Sequence, residues 1–107
     1  FEAAVVASQN DSDALRVKRL LSANPIPAIQ VVTARVFQRN PDVVATVLAR
    51  AKGVCEACAS VAPFTRRRDG TPYLEVHHRV LLADGGEDTV ANAIAVCPNC
   101  HRKAHHG

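Results

Sequence analysis

Cys97-Pro98-Asn99-Cys100-His101-Arg102-Lys103-Ala104-His105 is the stretch that decides the fold, because it gathers two thiols and two imidazoles in one short segment. Its Cys-x-x-Cys half has a counterpart upstream in Cys55-Glu56-Ala57-Cys58. Two thiolates of one tight turn occupy two corners of a tetrahedron, so two such pairs complete a four-cysteine zinc site. The alternative, two disulfides, needs a secretory context that this sequence does not show. Zinc held by Cys55, Cys58, Cys97 and Cys100 has no open coordination position and serves as a staple. The 38 residues 59–96 separate the pairs. That gap is longer than a zinc ribbon's, so a structure of its own is expected between the two knuckles.

His101 and His105 are four apart, the spacing that projects two side chains from one helical face. A helix over 99–106, opened by Pro98, therefore aims both imidazoles at one point. His77, next to His78 in Tyr73-Leu74-Glu75-Val76-His77-His78, can add a third nitrogen from a strand. Three protein ligands with open positions make the arrangement of a catalytic metal. The alternative is a set of surface histidines beside a zinc staple. His106 lies roughly 100° around the helix from His105 and is left out of the set.

Outward from these motifs, the elements follow from local signals. Asp69-Gly70 marks a turn between Phe64 and a strand over Tyr73 to His77. Asp84-Gly85-Gly86-Glu87-Asp88 reads as a polar loop, and Ala93 to Val96 as a second strand. Asn40-Pro41 is an N-cap followed by proline at the first helical position. With Val43, Val44, Val47 and Leu48 behind it and Gly53 as a stop, it predicts a helix over 41–51. Upstream, Asp11 or Ser12 caps a helix carrying Leu15, Leu20 and Leu21, which Asn24-Pro25-Ile26-Pro27 ends. Ile29 to Phe37 is rich in β-branched residues and fits strand or helix. The expected class is α+β. It divides into a mainly helical segment, 1–40, as a linker or the tail of an upstream domain, and a compact domain, 41–107.

Composition sets the outer limits. The chain has 107 residues, 48% hydrophobic and 21% charged, the balance of one small globular domain. No apolar run is long enough to cross a bilayer, and no signal peptide is apparent, so a cytoplasmic location is expected. Methionine is absent, and the chain is expected to be a piece of a longer protein. Net charge is +3, a mild basic bias compatible with nucleic acid.

The combination of Leu74-Glu75-Val76-His77-His78, Gly85-Gly86, Asn92 and Cys97 to His105 resembles the HNH endonucleases, whose core is the ββα-metal fold. It is most similar to the members with a four-cysteine zinc found in modified-cytosine-dependent (Mcr-type) restriction enzymes. The paired histidines are also similar to those of the nuclease colicins, which lack the four cysteines. The resemblance covers residues 50–107. It implies that His78 is the general base, that His77, His101 and His105 hold a divalent catalytic ion, and that Asn92 orders the loop beside the base. Glu75, two residues from His77 on one strand face, is expected to orient that ligand. Adjacent strand residues face opposite ways, so His77 and His78 serve one site only if the strand bends, which is expected at Arg79. The rival assignment exchanges the two, with His77 as base and His78 as ligand.

The implied activity is hydrolysis of double-stranded DNA to 5′-phosphate and 3′-hydroxyl ends. Three imidazoles favour Zn, Ni, Co or Mn over Mg, which prefers oxygen. Arg66, Arg67, Arg68, Arg79, Arg102 and Lys103 are the candidate phosphate contacts, although the Arg66–Arg68 run also fits a solvated hairpin edge. Such a module reads few bases itself, so an upstream target-recognition domain is expected outside this chain. A double-strand break then requires a homodimer or two successive nicks. The alternative function is a non-catalytic zinc-knuckle DNA-binding module.

Overall fold

The chain runs α1 (Glu2–Asn10), α2 (Asp13–Ser22), α3 (Pro41–Ala51), β1 (Glu75–His78), β2 (Ala93–Val96) and α4 (Pro98–His106) in a computed structural model that describes all 107 residues. Two single turns of 3₁₀ helix, Leu82–Asp84 and Val90–Asn92, lie between the strands. The residues divide into two units, Phe1–Ala34 and Arg35–Gly107. No helix is long and apolar enough to cross a membrane.

The first unit is two short helices and an irregular tail. Of the two caps the sequence offered, Ser12 is the one used: its hydroxyl accepts from the Leu15 amide at 3.2 Å. Arg16 ties α2 back to α1 by donating to the Ser8 and Asp11 carbonyls at 2.7 and 2.8 Å. Neither helix buries a residue. Helix α1 was not anticipated, since it has no side-chain cap and no apolar stripe to signal it. Ile29 to Phe37 forms neither strand nor helix. Ile29, Val31, Val32 and Val36 are exposed there, and β-branched residues without a partner strand have no ladder to join.

The second unit is built outward from α3. Asn40 caps it through a bond from the Asp42 amide at 2.9 Å, and Pro41 follows. Val43, Val47 and Ala51, at helical spacing, form its buried face. They pack on β2, of which all four residues are buried, and on Leu74, Cys55 and Cys97. β1 runs antiparallel to β2 in the register Glu75↔Val96 to His78↔Ala93, and α4 follows directly from β2. The fold is thus α+β, with a two-stranded ββα core. β1 begins two residues later than expected, because Tyr73 belongs to the preceding hairpin: its amide donates to the Phe64 carbonyl at 2.9 Å.

The free edge of β2 is covered by the first cysteine knuckle. Glu56 presents its own amide to the Ala95 carbonyl at 2.9 Å and its carboxylate to the Ala95 amide at 2.8 Å. Arg50, in the last turn of α3, grips the same carboxylate with two bonds of 2.7 and 2.8 Å and reaches the Ala93 carbonyl at 2.9 Å. This clasp joins helix, knuckle and strand, and it holds the Glu56 carboxyl below the usual range, chiefly through Arg50. Glu56→Ala is expected to cost about 2 kcal/mol, chiefly because it leaves the buried Ala95 amide without its acceptor, while the loss of the exposed Arg50 ion pair adds little. Urea unfolding of the metal-loaded chain measures it, and an unchanged midpoint would contradict the role.

Candidate active site and metal centres

The four cysteines come together from two knuckles. Cys55 and Cys58 follow α3, while Cys97 and Cys100 form the first turn of α4, with the Cys97 sulfur accepting from the Cys100 amide at 3.5 Å. All four sulfurs lie within 4.8 Å of one another, and all four cysteines are free. Cys58 and Cys97 are 4.0 Å apart at sulfur. That is twice the length of an S–S bond, and close to the roughly 3.8 Å between two thiolates that share a tetrahedral zinc. The Ser60 hydroxyl and amide pull the Cys58 thiol down to about 6, whereas neighbouring Cys97 and Cys58 push Cys100 up to about 12. Four adjacent sulfurs give up all their protons only to a cation between them. The donor set fits one closed, four-sulfur ion.

The second cluster joins β1 to α4. The ligating nitrogens of His77, His101 and His105 lie within 4.8 Å of one another. The Nε2 atoms of His101 and His105 are 3.1 Å apart, near the roughly 3.3 Å expected for two imidazoles on one tetrahedral ion. His77 Nδ1 is buried with no hydrogen-bond partner. Burial, and then the charges of His101 and His105, lower the His77 pKa and favour the neutral imidazole, which is the ligating form. The donors fit a divalent ion with open positions.

The partner of Glu75 differs from the expected one. Its Oε1 accepts from His101 Nδ1 at 2.9 Å, and it makes no bond to His77. The reason is geometric: α4 packs across the face of β1 that carries Glu75 and His77, which brings the helix histidine over the carboxylate. Tyr73 donates its phenol to Glu75 Oε2 at 2.7 Å and is the main cause of the low Glu75 pKa. With Nδ1–H committed to Glu75, His101 keeps Nε2 for an ion.

His78 is 7% exposed, the one buried polar residue of the core. His78 and His77 are both among the residues that line a single pocket, together with His101, His105, Phe37 and Arg39. β1 ends at His78, and the chain bends at Arg79 and Val80. Beyond the strand, Asn92 continues the pairing with its side chain: Oδ1 accepts from the Val80 amide at 3.0 Å, and Nδ2 donates to the Val80 and Glu87 carbonyls at 3.0 and 2.7 Å. Gly86 passes so close to Val80 that a Cβ would sit 1.9 Å from its carbonyl oxygen, so only glycine fits there. This closure carries Asp88 to His78, Oδ1 to Nε2 at 2.8 Å. Asp88 was missed from sequence, because no spacing rule marks an acid that meets a histidine ten residues away only through the fold of a loop.

The basic residues separate into two kinds. Arg66 turns inward, donating to Thr71 Oγ1 and to the Pro72 and Leu74 carbonyls at 2.8 to 3.2 Å, with its guanidinium 4.9 Å from the Tyr73 ring centre. Three of its N–H bonds thus go to its own hairpin, unlike those of the other expected phosphate contacts. Arg67, Arg68, Arg79, Arg102 and Lys103 are exposed.

Comparison with known proteins follows the same lines. The HNH endonuclease family model matches residues 55–107. The chain is 51% identical over 72 residues to the type IV methyl-directed restriction enzyme EcoKMcrA of Escherichia coli (strain K12), across 67% of this chain and 26% of that protein. Among solved structures, it is similar to the type IV phosphorothioation-dependent restriction endonuclease ScoMcrA, with a TM-score of 0.56 and 38% identity over 64% of this chain and 13% of that one. The chain thus spans about a quarter of the length of the curated relative it matches. With its paired strands, following helix and two donor clusters, residues 55–107 are a member of the HNH endonuclease family of nuclease domains.

Proposed function

We propose that this domain is the metal-dependent cleavage module of a modification-dependent restriction enzyme, hydrolysing DNA to 5′-phosphate and 3′-hydroxyl ends. The observation that carries the reading is the shared pocket, in which His78 stands beside a three-imidazole cluster. Cys55, Cys58, Cys97 and Cys100 hold zinc as a structural crosslink. His77, His101 and His105 hold the second divalent ion, with Zn, Ni, Co or Mn preferred to Mg by the nitrogen donors. That ion, when bound, offsets the charge that builds on the phosphoryl and departing oxygens. His78, as a neutral imidazole, takes the proton of the attacking water. Asn92 holds the loop that closes over this base, and Glu75 holds His101.

Arg67, Arg68, Arg79, Arg102 and Lys103 attract the DNA backbone. Target choice belongs to a recognition domain outside this chain, a reading supported by the small share of each relative that the chain covers. One such site cuts one strand, so a double-strand break requires a homodimer or two nicks. A DNA substrate is in keeping with a cytoplasmic protein.

Nicking of supercoiled plasmid in Mn²⁺ or Ni²⁺, abolished by EDTA, is the expected result. His105→Ala should lose cleavage and one metal per chain while the cysteine-bound zinc remains, as elemental analysis reads. DNA binding without cleavage by the wild type would make the domain a zinc-knuckle binding module. A His105→Ala chain that keeps two metals would remove His105 from the ligand set.

A further inference from the structure

Asp88 divides its two oxygens between two nitrogens. Oδ1 stands 2.8 Å from His78 Nε2, and Oδ2 accepts from the Asn40 backbone amide at 2.6 Å. Asn40 is the cap of α3, whose Val43 and Val47 are anchored in the core. The carboxylate is therefore held from the helix side and presented to the histidine. A carboxylate only accepts hydrogen bonds, and a neutral imidazole carries one N–H and one lone pair. The Asn40 amide, His78 and Arg39 hold the Asp88 carboxyl below its usual range, so it remains an acceptor at neutral pH. His78 Nδ1 makes no bond within the protein, and it is not a buried, partnerless atom as His77 Nδ1 is.

We propose that Asp88 is a positioning residue of the hydrolytic reaction: it fixes His78 as the Nε2–H tautomer, which makes Nδ1 the nitrogen that takes the proton from water. This rests on the nuclease reading above. In the step, a water O–H bond breaks and its proton moves to Nδ1, while the electron pair left on oxygen forms the new bond to phosphorus. The bond from phosphorus to the 3′ oxygen breaks with its pair on that oxygen, which takes a proton from solvent. The resulting imidazolium donates through both nitrogens. Its Nε2–H bond to Asp88 then becomes charge-assisted, so the carboxylate favours the protonated histidine as it forms.

Asp88→Asn isolates this role because it preserves size and changes one atom's chemistry. An Asn side chain has one acceptor for the two donors around it. The Asn40 amide cannot reverse its polarity, whereas an imidazole can exchange tautomers. The Asn oxygen therefore stays with Asn40, its NH₂ faces His78 Nε2, and the ring proton moves to Nδ1, where it blocks the base.

The test uses the full chain loaded with zinc in both sites for ¹⁵N-histidine NMR, and with Mn²⁺ for plasmid cleavage. The wild type should show His78 with Nε2 protonated and Nδ1 bare. Asp88→Asn should reverse the two, lower kcat roughly 10²-fold or more, and leave KM for plasmid and metal content unchanged. Asp88→Glu, which keeps a pure acceptor, should restore the wild-type tautomer and part of the rate. A wild type with Nδ1 protonated overturns the proposal without any variant. So does an Asp88→Asn enzyme that cleaves at the wild-type rate, or one whose loss lies in KM or in metal. An inactive wild type with the Nε2–H tautomer would overturn the nuclease reading and the proton step with it, while supporting the hold of Asp88 on the ring.

Discussion

Cys97→Ser is expected to yield a chain whose second unit does not fold. Cys97 does three things at once: it is a ligand candidate of the four-sulfur centre, the N-cap of α4, and a buried member of the core at 9% exposure. Serine can still cap a helix, so the loss tests the metal crosslink and the burial rather than the cap. The core has little to fall back on. Ten apolar residues are buried in it, and five of them are small, namely Ala51, Ala93, Ala95, Cys55 and Cys97. A structural zinc contributes on the order of 10 kcal/mol of folding free energy, comparable with the whole stability of a small domain. Circular dichroism and thermal melting at fixed zinc would read the effect. A Cys97→Ser chain that melts cooperatively near the wild-type temperature would show that the cysteines do not carry the fold. Removal of zinc by a strong chelator should have the same outcome. A weaker chelator that empties only the histidine cluster should leave the fold in place.

His78→Ala is expected to cut turnover by roughly 10² to 10⁴, or about 3 to 5 kcal/mol of barrier, with both metals and DNA affinity kept. A base acts in the transition state, so its removal does not weaken ground-state binding. Asp88 would lose one of its two partners but keep Asn40, which limits the structural cost. His77→Ala should differ in kind, losing the second ion together with activity, because His77 stands in the three-imidazole cluster and His78 does not. The two alanine variants, assayed side by side for metal and for rate, decide between this assignment and its exchange. If His78→Ala empties the second site and His77→Ala does not, the roles are reversed.

Much of this domain is legible as spacing. Cys-x-x-Cys pairs, an i, i+4 histidine pair and Asn-Pro ahead of Val43 and Val47 are patterns whose geometry is contained in a few consecutive residues, through a tight turn or one helical period. The strand over Ala93–Val96 and helix α4 are legible for the same reason. Strand β1 begins two residues later than its local pattern suggests, because whether Tyr73 pairs with Phe64 or with β2 is decided across the hairpin and not within it. Ile29 to Phe37 shows the opposite limit: β-branched residues supply propensity, but a strand exists only where another strand accepts its hydrogen bonds.

The order of residues supplies the donors of this protein and says which are neighbours along the chain: the four cysteines, the helix pair His101 and His105, and the doublet His77-His78. The way these choices resolve comes from the folded chain. It sends His77 to the helix pair and His78 to Asp88, and it gives Glu75 to His101 instead of His77. It also turns Arg66 into its own hairpin, and closes the edge of β2 with Arg50 and Glu56. Each of these depends on which face of a strand a helix covers, or on where a loop returns. A side chain's partner across such a contact is set by packing and by the need of buried polar groups for a bond, and neither has a period that can be read along the chain.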